Sequence, residues 1–308
     1  MARGGDSLLR RLLRDRAAFP AAIVLSVMLF AGICAPWIVP QDSNDPGELE
    51  LWDSLRPPIW SLSDDDEPQR AEGIVYLLGT DDQGRDMLSA ILLGLRVSLL
   101  VGFSVVAISS VTGTTLGIIA GYVGGRVEMI IMRIADITLS FPSILVALFI
   151  LSLWKEGGLE RVIIAICSVR WVAYARTSRG CTLSEKEKDY VTAARALGQR
   201  PIKIMFRHIF PNVLSPLAII AAVEIAMVIM LEATLSFLGV GTPITEPSLG
   251  MLIKNGYEDL LSGNWWITVF PGLALVALVF SINVLVDWLR DTLNPHLAAA
   301  AGARQRAE

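Results

Sequence analysis

Charge is scarce in this sequence and is unevenly distributed along it. Of the 308 residues, 18% are charged and 53% are hydrophobic, and the mean hydropathy is +0.55. A soluble domain of this length needs more charge on its surface, so the composition excludes an ordinary soluble protein. No face concentrates Lys and Arg as a nucleic-acid-binding surface would, so nucleic acid is not expected as a partner.

Residues that support metal or catalytic chemistry are also few. The three cysteines, Cys34, Cys167 and Cys181, show no CxxC spacing, which argues against a zinc site or a disulfide framework. The two histidines, His208 and His296, fall outside the apolar runs, so the sequence shows no constellation typical of an intramembrane enzyme. It also lacks a Walker A pattern. We therefore predict no catalytic residue, no metal site and no cofactor bound by this chain.

Long apolar runs are abundant. A membrane-spanning helix needs roughly 20 mainly apolar residues, and six segments are candidates: 18–40, 96–121, 130–153, 158–176, 214–239 and 265–288. Arg133 and Asp136 interrupt the third segment. Arg170 interrupts the fourth, from where it can snorkel toward the cytosolic end. The sequence thus predicts an all-α membrane protein with six transmembrane helices.

Basic and acidic residues fall on opposite sides of these six segments. The N-terminal segment 1–17 and the loop 177–212 are rich in Arg and Lys, whereas the loop 41–95 is acidic. Because basic loops stay in the cytosol, both termini are expected there. The resulting topology has a first helix at 18–40, a long outer loop at 41–95, a helical core at 96–288 and a cytosolic tail at 289–308.

The inner loop has the composition of two short helices. Residues 184–197 favour a helix, with Ser184 as a candidate N-cap and Gly198 as the residue that ends it. A second helix is predicted to begin at Pro201, because proline suits the first helical position. An apolar stripe follows at helical spacing: Ile202, Met205, Phe206 and Ile209. Such an amphipathic surface suits the groove of another protein.

This loop resembles the EAA loop of ABC importer permeases, which docks on the ATP-binding subunit. The resemblance rests on Thr192–Ala193–Ala194, Gly198 and Pro211, although Thr192 replaces the usual leading Glu and His208 and Phe210 replace aliphatic residues. It implies that coupling to the ATPase subunit involves Thr192, Ala193, Ala194, Arg195, Gly198, Ile202, Met205, Phe206 and Pro211.

Five further blocks resemble dipeptide and oligopeptide permeases of the OppC/DppC type, in the same order. They are LGTDDQGRDMLSAILLGLRVSLLVG (78–102), SFPSILVAL (140–148), WVAYAR (171–176), EATLSFLGVG (232–241) and LRDTLNP (289–295). The likeness runs from about residue 18 to residue 296, whereas the acidic insertion at 43–75 is less typical of the family.

The resemblance implies a permease subunit in the bacterial inner membrane, part of an ATP-driven importer of peptides or peptide-like solutes. A second permease subunit would form a pseudo-symmetric heterodimer with this one. Two ATP-binding subunits would bind the ATP and Mg²⁺, and a periplasmic solute-binding protein would deliver the cargo. Nickel chelates and opine-like compounds are alternative cargoes within the same family.

Other residues bear on packing and passage. Gly113, Gly117 and Gly121 form a small-xxx-small series that predicts close helix approach. Glu224 and Glu232 lie within the fifth segment and are candidates for lining the passage. For Glu232, a structural hydrogen bond is an equally good interpretation.

Three charged residues precede the second segment. Asp82, Arg85 and Asp86 are candidates for contact with the binding protein, and a helix-terminal role is the alternative for Arg85 and Asp86.

An ion-coupled secondary transporter is the rival class. It would predict internal repeats and broken membrane helices, neither of which the sequence pattern indicates, and Glu224 would be its coupling carboxylate.

Overall fold

The fold is helical throughout the part of the chain that can be described. The computed structural model describes residues 8–41, 51–61, 75–154, 157–243 and 248–293. Within these ranges there is no β-strand, and an isolated antiparallel bridge joins Thr80 to Asp86. The helices are α1 (Leu8–Arg14), α2 (Ala18–Ile38), α3 (Met87–Val123), α4 (Gly125–Leu139), α5 (Ser143–Ser152), α6 (Leu159–Glu185), α7 (Asp189–Ala196), α8 (Pro201–Ile204), α9 (Phe210–Phe237), α10 (Leu249–Asp259) and α11 (Trp266–Leu293).

Four helices are long and apolar enough to cross a membrane. They are Ala18–Ile38, Met87–Val123, Pro201–Phe237 and Trp266–Thr292, which correspond to the first, second, fifth and sixth predicted segments. The bent pair α4–α5 counts as a fifth span if its two halves are taken together. Helix α6 covers the fourth predicted segment but carries Arg161, Arg170 and Arg176. The prediction of an all-α membrane protein is confirmed, and the count of six spans stays a prediction.

The third predicted segment is not one continuous helix. Helices α4 and α5 meet at an angle of 92°, so the prediction of an unbroken helix over 130–153 is wrong. The break lies at Ser140–Pro142, where Pro142 adopts an extended ψ of 130°. Proline disfavours helical geometry in the residue before it and cannot donate to the preceding turn. The sequence pattern also indicated no broken membrane helix, and the bent pair α4–α5 corrects this expectation.

Two other boundaries differ from the prediction. Helix α3 begins at Met87, so residues 87–95, predicted as the end of the outer loop, are helical. Helix α10 lies between the fifth and sixth predicted segments, where no helix was predicted. Lys254 and Asn255 interrupt the apolar residues of α10. The helix was not predicted because its apolar run is much shorter than those of the membrane-spanning segments. The predicted tail at 289–308 lies mostly outside the described residues.

The chain divides into two compact units, and the first comprises Met1–Leu99 and Ile244–Glu308. In it, α11 packs against both α2 and α10. Helices α10 and α11 approach closely because a Cβ at Gly256 would lie 2.5 Å from the carbonyl carbon of Ile267. The indole Nε1 of Trp266 donates a 3.1 Å hydrogen bond to the carbonyl of Thr80 and so ties α11 to the turn before α3.

The second unit comprises Leu100–Pro243 and has two apolar clusters. One joins α3, α5, α6 and α9 through residues such as Val105, Ala147, Ile166 and Val228. The glycine series of α3 confirms the predicted close approach, because all three glycines contact α6. A Cβ at Gly117 would lie 2.0 Å from Ser178 Oγ and 2.3 Å from the carbonyl oxygen of Ala175.

Candidate functional site

The inner loop begins with a turn that the sequence did not predict. Helix α6 continues through Ser184 to Glu185, so Ser184 is not an N-cap and the predicted start of a helix there is wrong. The Glu185 carboxylate accepts hydrogen bonds from the Tyr190 hydroxyl and pairs with Lys188 Nζ at 2.9 Å. These partners lower the pKa of Glu185, the Tyr190 hydrogen bond most of all. They hold the chain in a turn before α7 begins at Asp189.

Gly198 ends α7 as predicted. Its φ is +71°, a conformation that favours glycine. The amide of Gly198 donates to the carbonyl of Arg195 at 3.0 Å, and the amide of Gln199 donates to the carbonyl of Ala194 at 3.1 Å. This pair of bonds is a Schellman motif, which satisfies carbonyls at the end of a helix.

The second helix of the loop begins at Pro201 as predicted, but it does not stay separate. A π-helical turn, Met205–Ile209, joins α8 to α9, so the helix is continuous from Pro201 to Phe237 over 37 residues. The predicted short helix and the predicted fifth span are thus one element.

The loop has a buried face and an exposed face. On the buried face, Val191, Ala194, Ile204 and Ile209 pack with Tyr174 of α6 and Val213 of α9. Ala194 and Ile209, which were predicted to face a partner, therefore point into this chain instead, and Met205 is half-buried. This packing fixes the loop on α6 and α9.

The exposed face carries large apolar side chains. Leu197 is 80% exposed, Ile202 60% and Phe206 57%. Thr192, Ala193, Arg195 and Pro211 are exposed as well. We call Ala193, Leu197, Ile202 and Phe206 the inner apolar surface. Leu197 was not predicted as part of this surface. It is the residue directly after α7, and its exposure follows from the end of the helix there and not from an apolar pattern in the sequence.

The three charged residues before α3 form part of a buried turn. Asp86 is the N-cap of α3, since its Oδ2 accepts from the Ser89 amide at 2.9 Å and from the Ser89 hydroxyl at 2.6 Å. Arg85 and Asp86 are buried, and only Asp82 is exposed. Arg85 and Asp86 are thus not presented to a binding protein, and Asp86 has the helix-terminal role that was the alternative.

Asp81, which was not predicted as a site residue, holds the backbone of this turn in place through two hydrogen bonds. Its Oδ1 accepts from the amides of Gln83 and Arg85, both at 2.9 Å. Burial is the main cause that raises the pKa of Asp81 to about 6. The only sequence signal for this role was the Asp-to-Gly spacing of a turn.

An ion pair joins the middle of α6 to the middle of α9. Arg170 Nη1 lies 3.5 Å from Glu224 Oε2, and the two side chains are 18% and 12% exposed. The expectation that Arg170 snorkels to the cytosolic end is therefore wrong, and Glu224 is not an isolated carboxylate. The pairing was invisible in the sequence because the two residues lie on different helices.

The pair borders a cavity of about 330 Å³. Its lining residues come from α4, α5, α6, α9 and the bend: Leu139, Phe141, Ser143, Val169, Arg170, Val172, Ala173, Arg176 and Glu224. Arg176 also pairs with Asp136 of α4 at 2.6 Å. Charged groups inside a membrane segment are costly unless they face protein or water. The cavity supplies such a surrounding for Glu224.

Glu232 has a different environment. It is fully buried, and the Ser236 hydroxyl donates a 2.8 Å hydrogen bond to its Oε1. Ser236 in turn lies against Gly241, where a Cβ would lie 2.0 Å from its hydroxyl. These contacts favour the structural interpretation of Glu232 over a passage-lining one.

Comparisons with known proteins identify the family of this chain. Residues 113–299 match the family described as "Binding-protein-dependent transport system inner membrane component". The dipeptide transport system permease protein DppC of Haemophilus influenzae is 37% identical over 92% of this chain and 92% of its own length. The glutathione transport system permease protein GsiD of Pectobacterium atrosepticum is 33% identical over 94% of this chain and 90% of its own.

A solved structure supports the fold. An inward-facing conformation of the MetNI methionine ABC transporter matches 68% of this chain and 98% of the solved chain, with a TM-score of 0.55 and 19% identity. At that identity the likeness supports the helical arrangement alone.

Proposed function

Because this chain belongs to the family of binding-protein-dependent transport system inner membrane components, we propose that it forms half of the membrane passage of an ATP-driven importer for peptides or peptide-like solutes. The observation that carries the proposal is the 37% identity to a dipeptide permease, which extends over 92% of both chains. The resemblance to dipeptide and oligopeptide permeases is thereby confirmed. Family membership favours such an importer over an ion-coupled secondary transporter.

The proposed assembly contains a second permease, two ATP-binding subunits and a periplasmic solute-binding protein. ATP and Mg²⁺ would be bound by the ATP-binding subunits, and this chain would do no catalysis. The inner apolar surface is the proposed docking site for one ATP-binding subunit, because its exposed side chains belong to the loop that resembles the EAA loop of ABC importer permeases. Nickel chelates and opine-like solutes remain the alternative cargoes, and the likeness to a glutathione permease favours peptides over both.

Reconstitution tests this proposal. In liposomes that hold this chain with its partner permease and both ATP-binding subunits, uptake of radiolabelled dialanine should require the binding protein outside and ATP inside. The measurement is the initial uptake rate, with liposomes that lack this chain as the control. Uptake driven by a proton gradient in the absence of ATP would contradict the proposal.

The proposed topology places the segment 51–61 in the periplasm and α7 in the cytosol. Both Ser61 and Ala193 are exposed, so a cysteine at either position is open to reagents. In a variant without the three native cysteines, an impermeant thiol reagent added to spheroplasts should label Ser61→Cys and spare Ala193→Cys. Permeabilised cells that lack the ATP-binding subunits, where both cysteines should react, are the control. Labelling of Ala193→Cys in intact spheroplasts would show an inverted topology.

A further inference from the structure

The ion pair between Arg170 and Glu224 is incompletely bonded. Its closest atoms lie 3.5 Å apart, whereas charge-assisted hydrogen bonds between such groups are about 2.7–2.9 Å long. Within the described part of the chain, Arg170 Nε and Glu224 Oε2 are buried and have no hydrogen-bond partner. A pair that served only to hold α6 against α9 would be expected to use these atoms, because buried polar groups without partners are destabilising.

The cavity beside the pair lies between the middle of α9 and the bend that joins α4 to α5. Glu224 lies roughly 20 Å from Phe237 and roughly 35 Å from Pro201 along the continuous helix, at 1.5 Å per residue. The bend between α4 and α5 contributes Leu139, Phe141 and Ser143 to the same cavity. Non-helical backbone at membrane depth is tolerated where it is covered by protein or lines a water-filled space. The bend and the ion pair border the same space, and each of them requires protein or water as its surrounding.

We propose that Arg170 and Glu224 together bind the two charged ends of a zwitterionic solute during its passage. Arg170 binds the terminal carboxylate, and Glu224 binds the terminal ammonium group. This inference rests on the proposed function, and it states that the membrane passage selects zwitterionic solutes. The cavity of about 330 Å³ is at the lower end of the range of sites for small molecules, about 300–1,000 Å³.

The chemistry of the two side chains fits this role. A guanidinium group presents five donors in a planar fork that matches a carboxylate, and a carboxylate accepts from an ammonium group. Binding a zwitterion replaces one loose ion pair with two pairs, so no charge is left uncompensated. A solute with only one charged end would leave either Arg170 or Glu224 without a partner, and an unpaired charge in such a site is strongly unfavourable.

Three probes that share the dialanine unit and differ in the charge of one end test the assignment. They are dialanine, its C-terminal amide and N-acetyl-dialanine, each taken up by the complete importer in liposomes. Initial rates are divided by the amount of each probe that the binding protein holds at the same concentration, which removes the selectivity of that protein. The wild-type importer should favour dialanine over each analogue by about tenfold, the effect of one charge-assisted hydrogen bond.

The two single variants should lose different parts of this selectivity. Arg170→Gln should carry dialanine and its amide at nearly equal corrected rates while it still rejects N-acetyl-dialanine. Glu224→Gln should show the converse. A purely structural pair would instead lower all three rates by the same factor, and that result, or wild-type ratios in both variants, would overturn the inference.

Matched controls separate selectivity from assembly. Arg179 of α6 pairs with Glu128 of α4 outside the cavity, so Arg179→Gln removes an ion pair but should keep both selectivities. If a single variant fails to assemble, Arg170→Gln combined with Glu224→Gln leaves no unpaired charge and should assemble but lose both selectivities. Wild-type ratios in that double variant would overturn the inference. Absence of peptide uptake by the wild-type importer would overturn the proposed function, and the inference with it.

Discussion

Replacement of Gly198 by aspartate is expected to leave this chain folded in the membrane and to abolish solute uptake. No atom lies within 4 Å of the position that a Cβ would occupy at Gly198, so the substitution meets no obstacle within the chain. Aspartate also tolerates a positive φ better than most residues. Its charge, however, would lie beside the exposed side chain of Leu197, where a docked ATP-binding subunit would remove it from water.

The expected loss is large because an unpaired charge in an interface costs several kcal/mol. Association with the ATP-binding subunit should weaken by roughly a hundredfold or more, since each 1.4 kcal/mol is a factor of ten. Copurification of the ATP-binding subunit and the uptake rate measure the effect. Gly198→Asn, which has similar size and tolerance of positive φ without the charge, is the control and should lose much less. Normal copurification and uptake in the aspartate variant would exclude a docking role for this position.

A side chain at Gly117 is expected to prevent the packing of α3 on α6. Even the Cβ of alanine would lie 2.0 Å from Ser178 Oγ and 2.3 Å from the carbonyl oxygen of Ala175. The second neighbour is backbone, so relief requires the helices to move apart. Overpacking of this kind costs about 1–3 kcal/mol, and Gly117→Leu should cost more than Gly117→Ala because the whole side chain must be accommodated.

Gly180 provides a matched control on the partner helix. It lies inside α6 with no atom within 4 Å of its would-be Cβ, so Gly180→Ala should be neutral or stabilise the helix by up to about 1 kcal/mol. The measurement is the fraction of each variant that stays monodisperse in detergent over a temperature series. Equal thermal profiles for Gly117→Ala and Gly180→Ala would show that the close approach is not needed for stability.

The sequence predicted those parts of the fold that depend on local composition. Uncharged runs longer than a bilayer crossing identify α2, α3 and α11, and a mainly apolar run identifies α9. The glycines at four-residue spacing identify the face of α3 that meets α6. Gly198 and Pro201 likewise predicted a helix end and a helix start, because their backbone preferences act at single positions.

The remaining features depend on contacts that are distant in the sequence. Arg170 and Glu224 pair across two helices, so neither residue alone indicated the other. Ala194 lies within α7 and Leu197 directly follows its last residue, yet Ala194 belongs to the buried cluster with Tyr174 and Leu197 is exposed, because tertiary packing decides which side chains are covered. The bend at Pro142 was missed because the apolar residues on the two sides of Ser140–Ser143 were taken as one run.

The continuous helix from Pro201 to Phe237 connects the proposed docking site to the charged pair beside the cavity. Ile202 on the inner apolar surface and Glu224 beside the cavity share one hydrogen-bonded backbone, roughly 30 Å apart along its axis. A tilt or rotation imposed at the docking end would therefore reach the charged pair through one helix. The regular hydrogen bonding of this helix changes at the π-helical turn Met205–Ile209, and Pro211 and Pro216 donate no backbone hydrogen bond. We expect the helix to bend in this region when the ATP-binding subunit moves.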